Sequence, residues 1–341
     1  MASHLITGGS GFLGNLIAER LLASGEHVKV LDIVQDHNQS KEIEFIKADI
    51  RDEFTLNKAM KNVEVVHHNV ALVPLTKSGK EFWSVNVNGS RTAAKVAANN
   101  GVRNFVHMSS SAIYGAPTEL PITLNTKPHP IEIYGKGKLA GEIAVRNELS
   151  KSETNLVVIR PRTIIGPGRL GIFEILFRWI AENKNIYTIG NGTNKFQFVH
   201  AYDLMDAYML AFNLNKPGSF NVGTEEYSTL RDALENLILF AGSNSNVKSI
   251  PTSLAIPALT LADFLRISPL APWHYKTYHK PFFFDLTEIK ELGWKSQYSN
   301  NMMLEESFAS YLVNSGKSTN HSSPHRRALN EGILRFVKKN S

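Results

Sequence analysis

Tyr134 and Lys138 stand four residues apart in the run Tyr134-Gly135-Lys136-Gly137-Lys138. On a helix that spacing sends both side chains from one face. A free phenol titrates near ~10 and is a poor base at neutral pH. An ammonium beside it stabilises the phenolate and brings it toward the working range, which suits proton transfer to or from an alcohol. The same spacing also describes an ordinary pair on a helix surface, so a third group has to decide. Ser109-Ser110-Ser111-Ala112-Ile113-Tyr114-Gly115 lies upstream, directly after a strand-like run. A serine hydroxyl there can hydrogen-bond the oxygen that Tyr134 protonates or deprotonates.

A second constellation opens the chain: Thr7-Gly8-Gly9-Ser10-Gly11-Phe12-Leu13-Gly14. Gly8, Gly11 and Gly14 have the spacing of a tight turn between a strand and a helix. There backbone N–H groups at the helix start can approach a pyrophosphate. A plain turn is the bland alternative, but a strand-like run before and a helical pattern after favour dinucleotide binding. Asp32 follows at about the 20-residue separation at which an acid takes the adenosine ribose hydroxyls. Ile33 comes next, and no Lys or Arg occurs before Lys41. An acid without a local cation repels a 2′-phosphate, so the expected cofactor is NAD rather than NADP.

The elements that must position these groups follow from pattern. Strand-like runs at 5–7, 27–32, 44–48, 63–68, 104–108 and 156–160 alternate with helical patterns such as 12–23 and 83–99. In the first helix Leu13, Leu16, Ile17, Leu21 and Leu22 form one stripe. Alternating strands and helices predict an α/β fold, a Rossmann-type doubly wound parallel sheet. After Pro161 the text changes to Gly166-Pro167-Gly168, with helices expected at 172–181, 204–214 and 230–240 and a strand at 196–200. Residues 250–284, rich in Pro and aromatics, read as loops lining a pocket. The expected division is 1–165 for cofactor, 166–314 mainly for substrate, and 315–341 as a tail.

Composition sets outer limits. The chain has 341 residues, 43% of them hydrophobic and 20% charged, which fits a globular protein. It has no cysteine, which excludes disulfides, thiolate nucleophiles and Cys-based zinc sites; a reducing cytoplasm is the default. The net charge is +6. From Ser315 onward six cations (Lys317, Arg326, Arg327, Arg335, Lys338, Lys339) face only Glu331, so +5 sits in the tail and no nucleic-acid-binding body is indicated. Leu329, Ile333, Phe336 and Val337 make an apolar stripe among those cations. That pattern fits weak contact with an anionic membrane surface, or docking on the chain's own body. The apolar stretch 254–270 is broken by Pro257, Asp263, Arg266 and Pro269, which excludes a span of ~20 apolar residues. His67 and His68 would point to opposite faces of a strand. No metal site is expected.

Together these motifs resemble the extended short-chain dehydrogenase/reductase superfamily, in its NAD-dependent epimerase/dehydratase branch, up to about Asn314. Ala48-Asp49-Ile50-Arg51-Asp52 resembles the adenine-contacting stretch, His68-Asn69-Val70-Ala71 the HxAA motif beside the cofactor, and Asn86-Val87-Asn88-Gly89-Ser90 the NVxGT signature with its structural Asn. Arg160-Pro161 with Gly166-Pro167-Gly168 is similar to the segment that passes over the nicotinamide. The resemblance implies that Tyr134 is the acid/base and that Lys138 lowers its pKa and holds the nicotinamide ribose. Ser110, four residues before Tyr114, would orient the substrate. It implies cofactor contacts from Gly8, Gly11, Phe12, Leu13, Gly14, Asp32, Asp49, Ile50, Asn69, Val70, Ala71, Pro161 and Thr163, and substrate contacts from Ser111 and Phe196. It also implies that the later strands, near 196–200 and 219–223, pack beside the first-half sheet, so that a smaller C-terminal domain interleaves with it. A homodimer is implied through helices 83–99 and 131–149, with Leu139, Ile143 and Val145 at the contact.

Departures narrow the chemistry. The Asp and Glu that expel water in sugar-nucleotide 4,6-dehydratases are replaced by Ser111 and Ala112. The phosphate-contacting Asn of the epimerases is Thr163, and the Arg of their RDF motif is Phe196, leaving Lys195, Arg178 or Arg169 to substitute. The expected reaction is oxidation of a secondary alcohol, with hydride return epimerising a nucleotide-linked sugar. A 3β-hydroxysteroid or sterol dehydrogenase is the alternative, suited by Phe196 and the aromatic run 273–284. A non-catalytic cofactor sensor is a third reading, which Tyr134 and Lys138 oppose.

Overall fold

The computed structural model describes residues 2–73, 80–265, 267–268, 270 and 272–315. Eleven strands are described: β1 (Ser3–Thr7), β2 (His27–Asp32), β3 (Glu44–Lys47), β4 (Val65–His68), β5 (Asn104–Met108), β6 (Asn155–Pro161), β7 (Thr163–Ile165), β8 (Ile186–Ile189), β9 (Phe198–His200), β10 (Gly218–Val222) and β11 (Val247–Ile250). Seven form one sheet in the order β10-β6-β5-β4-β1-β2-β3, and every pairing in it is parallel. Side chains alternate between its faces. Ile6, Val30, Val106, Met108 and Ile159 enter one apolar cluster, while Leu5, Leu31, Val66, Phe105 and Leu156 enter the other. Burial on both faces is why the central strands carry apolar residues on both sides, with His67, His68 and His107 buried among them.

The strand order reverses between β1 and β4, the switch point where such sheets bind ligands. The glycine turn leaves β1 there, and Asn69 to Ala71 leave β4 beside it. β10, from the second half of the chain, adds to the β6 edge. Two small parallel pairs, β7 with β9 and β8 with β11, lie outside the large sheet.

Several expectations are corrected. The segment expected as one helix over 83–99 is a short helix Lys80–Trp83, a π-helical turn Ser84–Gly89 and a helix Ser90–Asn99. Residues 250–284 are not merely loops. Thr252–Phe264 and Pro272–Thr277 are helices, the first with Pro257 inside it. Pro257 cannot donate to the carbonyl four residues back, which is why the run did not read as a helix. That helix leaves Leu254, Leu261 and Phe264 exposed, Phe264 at 83%. Helix Asn300–Asn314, capped by Ser299, packs on Leu230–Phe240 and had no forecast. Val145 does not face a partner: it is buried with Phe105 and Leu149. The basic tail, from 316 onward, lies outside the described residues.

Candidate active site at the sheet switch point

The glycine turn is dictated by crowding. Gly8 has φ +72° and donates its N–H to Leu31 O at 2.8 Å. A Cβ on Gly14 would stand 2.4 Å from Gly8 O, so only glycine lets the helix Phe12–Ala23 start this close to the loop. Gly11 is the N-cap of that helix, and Phe12 and Leu13 are its first residues. The backbone of Val70 closes the other side, 2.9 Å from where a Gly8 Cβ would be. Asn69 donates its N–H to Thr7 O at 3.0 Å, which ties the β4 exit to β1. Asn86 clamps the segment after Ala71: its Oδ1 accepts from Leu72 N at 2.7 Å and its Nδ2 donates to Leu72 O at 3.0 Å.

Asp32 accepts from Ser10 N at 3.1 Å and from Ile33 N at 2.7 Å. Burial pushes its carboxyl up against the lowering effect of these N–H donors. No ion pair involves Asp32 among the described residues. Lys47 is its register partner on β3, a neighbour that could not be read from local sequence. Asp49 is engaged by Arg51 at 2.6 Å, and those hydrogen bonds hold its carboxyl below the usual range. Ile50 is buried and abuts Gly89 of the π-helical turn.

The catalytic candidates meet on the other side of the switch point. The helix Ile133–Leu149 starts at Glu132, whose carboxylate accepts from Tyr134 N at 2.7 Å and Gly135 N at 2.6 Å. A Cβ on Gly135 would lie 2.4 Å from Ala112 O, so the helix is pressed onto the serine loop. Ser110 caps the short helical turn Ser111–Tyr114, accepting from Ala112 N at 3.2 Å, and lies close enough to the Tyr134 phenol to act on its pKa. Lys138 is buried one turn later and donates from Nζ to Met108 O at 2.8 Å.

Burial raises the Tyr134 phenol, with Ser110 and the Arg169 cation acting in the lowering direction. The Lys138 ammonium is held by Met108 O. Burial pulls Lys138 down to about 8, and Glu142 works against that. The cation near the phenol is Arg169, whose guanidinium also lies 5.6 Å from the Phe12 ring centroid.

Three supporting groups escaped the sequence reading. Glu132 is one. Glu142, four residues beyond Lys138, is the second. It accepts from Ser109 Oγ at 2.8 Å, from Arg160 Nη2 at 2.5 Å and from Arg146 Nη2 at 3.0 Å. Burial raises it, but these partners hold it below the usual range. Arg160 Nη1 in turn donates to Tyr114 OH, and Tyr114 donates to Asn221. The third is Arg162, buried between Pro161 at the end of β6 and Thr163 at the start of β7. It donates to Ser111 Oγ at 3.0 Å. Phe196 is buried against Phe198 and Tyr278.

His67 and His68 do face opposite ways. The ring nitrogens of His67 meet Tyr208 OH and His4, and those of His68 meet Thr7 Oγ1 and Ser90 Oγ. Burial keeps both well below the usual imidazole range, and among the described residues no cluster of His, Asp or Glu could hold a metal ion.

Known proteins share this architecture. The model of the NAD dependent epimerase/dehydratase family matches residues 4–223. The uncharacterised protein y4nG of Sinorhizobium fredii is 38% identical over 331 residues, covering 95% of this chain and 84% of that one. A UDP-glucose 4-epimerase of Mycolicibacterium smegmatis is 30% identical over 247 residues, covering 67% of this chain and 79% of the relative. The fold matches the UDP-glucose 4-epimerase of Thermotoga maritima solved with UDP-glucose, with TM-score 0.76 and 21% identity over 92% of this chain and 99% of that one. Glycine turn, acid-ended β2 and tyrosine helix thus sit in a frame shared along most of the chain, which belongs to the NAD-dependent epimerase/dehydratase family of extended short-chain dehydrogenase-type enzymes.

Proposed function

We propose that this enzyme oxidises a secondary alcohol with Tyr134 as acid/base and then re-reduces the ketone from the other face, epimerising a nucleotide-linked sugar. One observation carries this reading: Ser110 lies beside the Tyr134 phenol and acts to lower its pKa, with buried Lys138 one helical turn away. The residues fit the family's cofactor, since the Gly8–Gly14 turn leaves no room for a Cβ and Asp32 stands where ribose hydroxyls need an acceptor. When bound, NAD supplies a hydride acceptor that becomes a donor for the return step. Ser110 would hold the substrate oxygen and Tyr134 would take its proton. Lys138 would exchange its bond to Met108 O for the nicotinamide ribose, and Arg169 favours the phenolate meanwhile. Incubating the NAD-loaded chain with UDP-galactose tests the reading. Formation of UDP-glucose without net NADH is expected, and an unchanged sugar counts against it.

A specific observation favours a second reading. Phe196 and Tyr278 pack with ring centroids 4.8 Å apart and planes tilted by 53°, and Phe282 joins them across the Arg162 guanidinium, where a diphosphate would ask for polar groups. Under that reading a 3β-hydroxysteroid is oxidised with one NADH per turnover. We also propose a cytoplasmic homodimer. It is supported by Trp83, Ile133 and Ile143, which remain exposed on the two helical segments expected to pair. The weak membrane-surface contact expected of the tail concerns residues outside those described; no helix among the described residues is long and apolar enough to cross a membrane.

A further inference from the structure

Arg162 is 1% exposed and lies between two aromatic rings, 3.9 Å from the Phe282 centroid and 4.8 Å from that of Phe196. Its Nε donates to Gln197 O at 3.0 Å and its Nη1 to Ser111 Oγ at 3.0 Å. Its Nη2 is buried and has no partner among the described residues. The contrast with Arg160, two residues earlier and bonded to Glu142 by two nitrogens, is direct. Among the described residues no carboxylate accompanies Arg162, and burial alone draws it down to about 9, so it stays charged at neutral pH. A buried cation without a counter-ion is costly, and bringing an anion to it removes that cost.

The surroundings are those of the reaction. Ser111 follows Ser110, which lies beside the Tyr134 phenol. Tyr278, buried beside Thr163, also feels the Arg162 charge. Phe196 occupies the place where the epimerases that this chain resembles carry an arginine, and the Arg162 guanidinium lies over that very ring. We propose that Arg162 is the receptor for an anionic group of the substrate, its free Nη2 taking a carboxylate or phosphate oxygen beside Ser111. The cation missing at position 196 is thereby supplied from position 162. The substrate is then an alcohol that carries a negative charge, whether its frame is a sugar nucleotide or an apolar ring system. The inference rests on the Tyr134 reading for the location of the reacting carbon.

Two matched pairs test it on the full NAD-loaded chain: UDP-glucuronate against UDP-glucose, and a 3β-hydroxysterol bearing a 4-carboxylate against its neutral parent. If a carboxylate is the ligand, the acid member of one pair is preferred by about tenfold or more in kcat/KM, and Arg162→Met brings that ratio to about one. If the diphosphate is the ligand, Arg162→Met lowers both UDP-sugars alike, by about tenfold or more. NAD affinity within twofold of the wild type separates lost anion binding from a lost fold. Should the methionine variant fail to hold NAD, Arg162→Lys decides, with an intermediate loss expected. Changes below twofold for every accepted probe overturn the proposal, as does rejection of all four by the wild type. Full turnover by Tyr134→Phe would instead remove the catalytic reading and leave the anion dependence standing.

Discussion

Two side chains at the proposed cofactor site give predictions at the scale of single residues. Asp32 makes no ion pair among the described residues, so NAD is expected to bind clearly more tightly than NADP in calorimetry. Asp32→Ala should narrow that gap by removing both the repulsion and the ribose acceptor. Because Lys47 sits opposite on β3, the variant should gain NADP affinity rather than only lose NAD affinity. Equal affinities in the wild type would contradict this. Lys138 gives a pH dependence. Its ammonium titrates near 8 when folded against an ordinary value of 10.5, so between those values the unfolded chain binds more protons. Stability should therefore rise with pH across that window, and the full burial cost is present below about pH 8. The cost is at most about 3 kcal/mol, so the stability of Lys138→Met relative to wild type should fall by about 1–3 kcal/mol from pH 7.5 to 10.5 in urea melts. A pH-independent difference would refute it. Tyr134, Lys138 and Ser110 were legible because a helix and a loop carry them at fixed spacing. Arg162 was not, since its partner Ser111 lies 51 residues away and meets it only once β5 and β6 are paired.

Among the elements, the tyrosine helix depends on its first turn. Glu132 satisfies two N–H groups there, one of them on Tyr134 itself. Glu132→Ala should cost about 1 kcal/mol of stability, as the loss of a capping side chain does, and should lower kcat more than it raises KM. Glu132→Gln, which keeps an acceptor, should recover most of both; a variant with unaltered melting and turnover would show that the cap does not position Tyr134. The parallel sheet was readable because strands covered on both faces are short and mainly apolar and recur between helical patterns. The π-helical turn at Ser84–Gly89 was not, for it reflects packing of Gly89 against Ile50 and of Asn86 against the chain after β4. The Thr252–Phe264 helix was hidden by Pro257, which pattern reading takes as a stop.

For the molecule as a whole, β10 from the second half of the chain joins the first-half sheet, and the proposed site is a joint product: the turn proposed to hold the cofactor follows β1, while Arg169, Phe196 and Tyr278 come from beyond residue 165. The exposed Trp83, Ile133 and Ile143 should be covered in a symmetric pair, so light scattering at micromolar concentration should give a dimer mass and Ile143→Asp a monomer. A monomeric wild type would oppose that. The core proposition is that the enzyme moves a proton through Tyr134 while hydride passes to and from NAD. The most direct measurement compares turnover and NAD affinity of wild type and Tyr134→Phe on the first substrate that the wild type converts. Turnover should drop by ~10² or more with NAD binding unchanged, since that is what a general acid–base group contributes. Near-full turnover in Tyr134→Phe would contradict it.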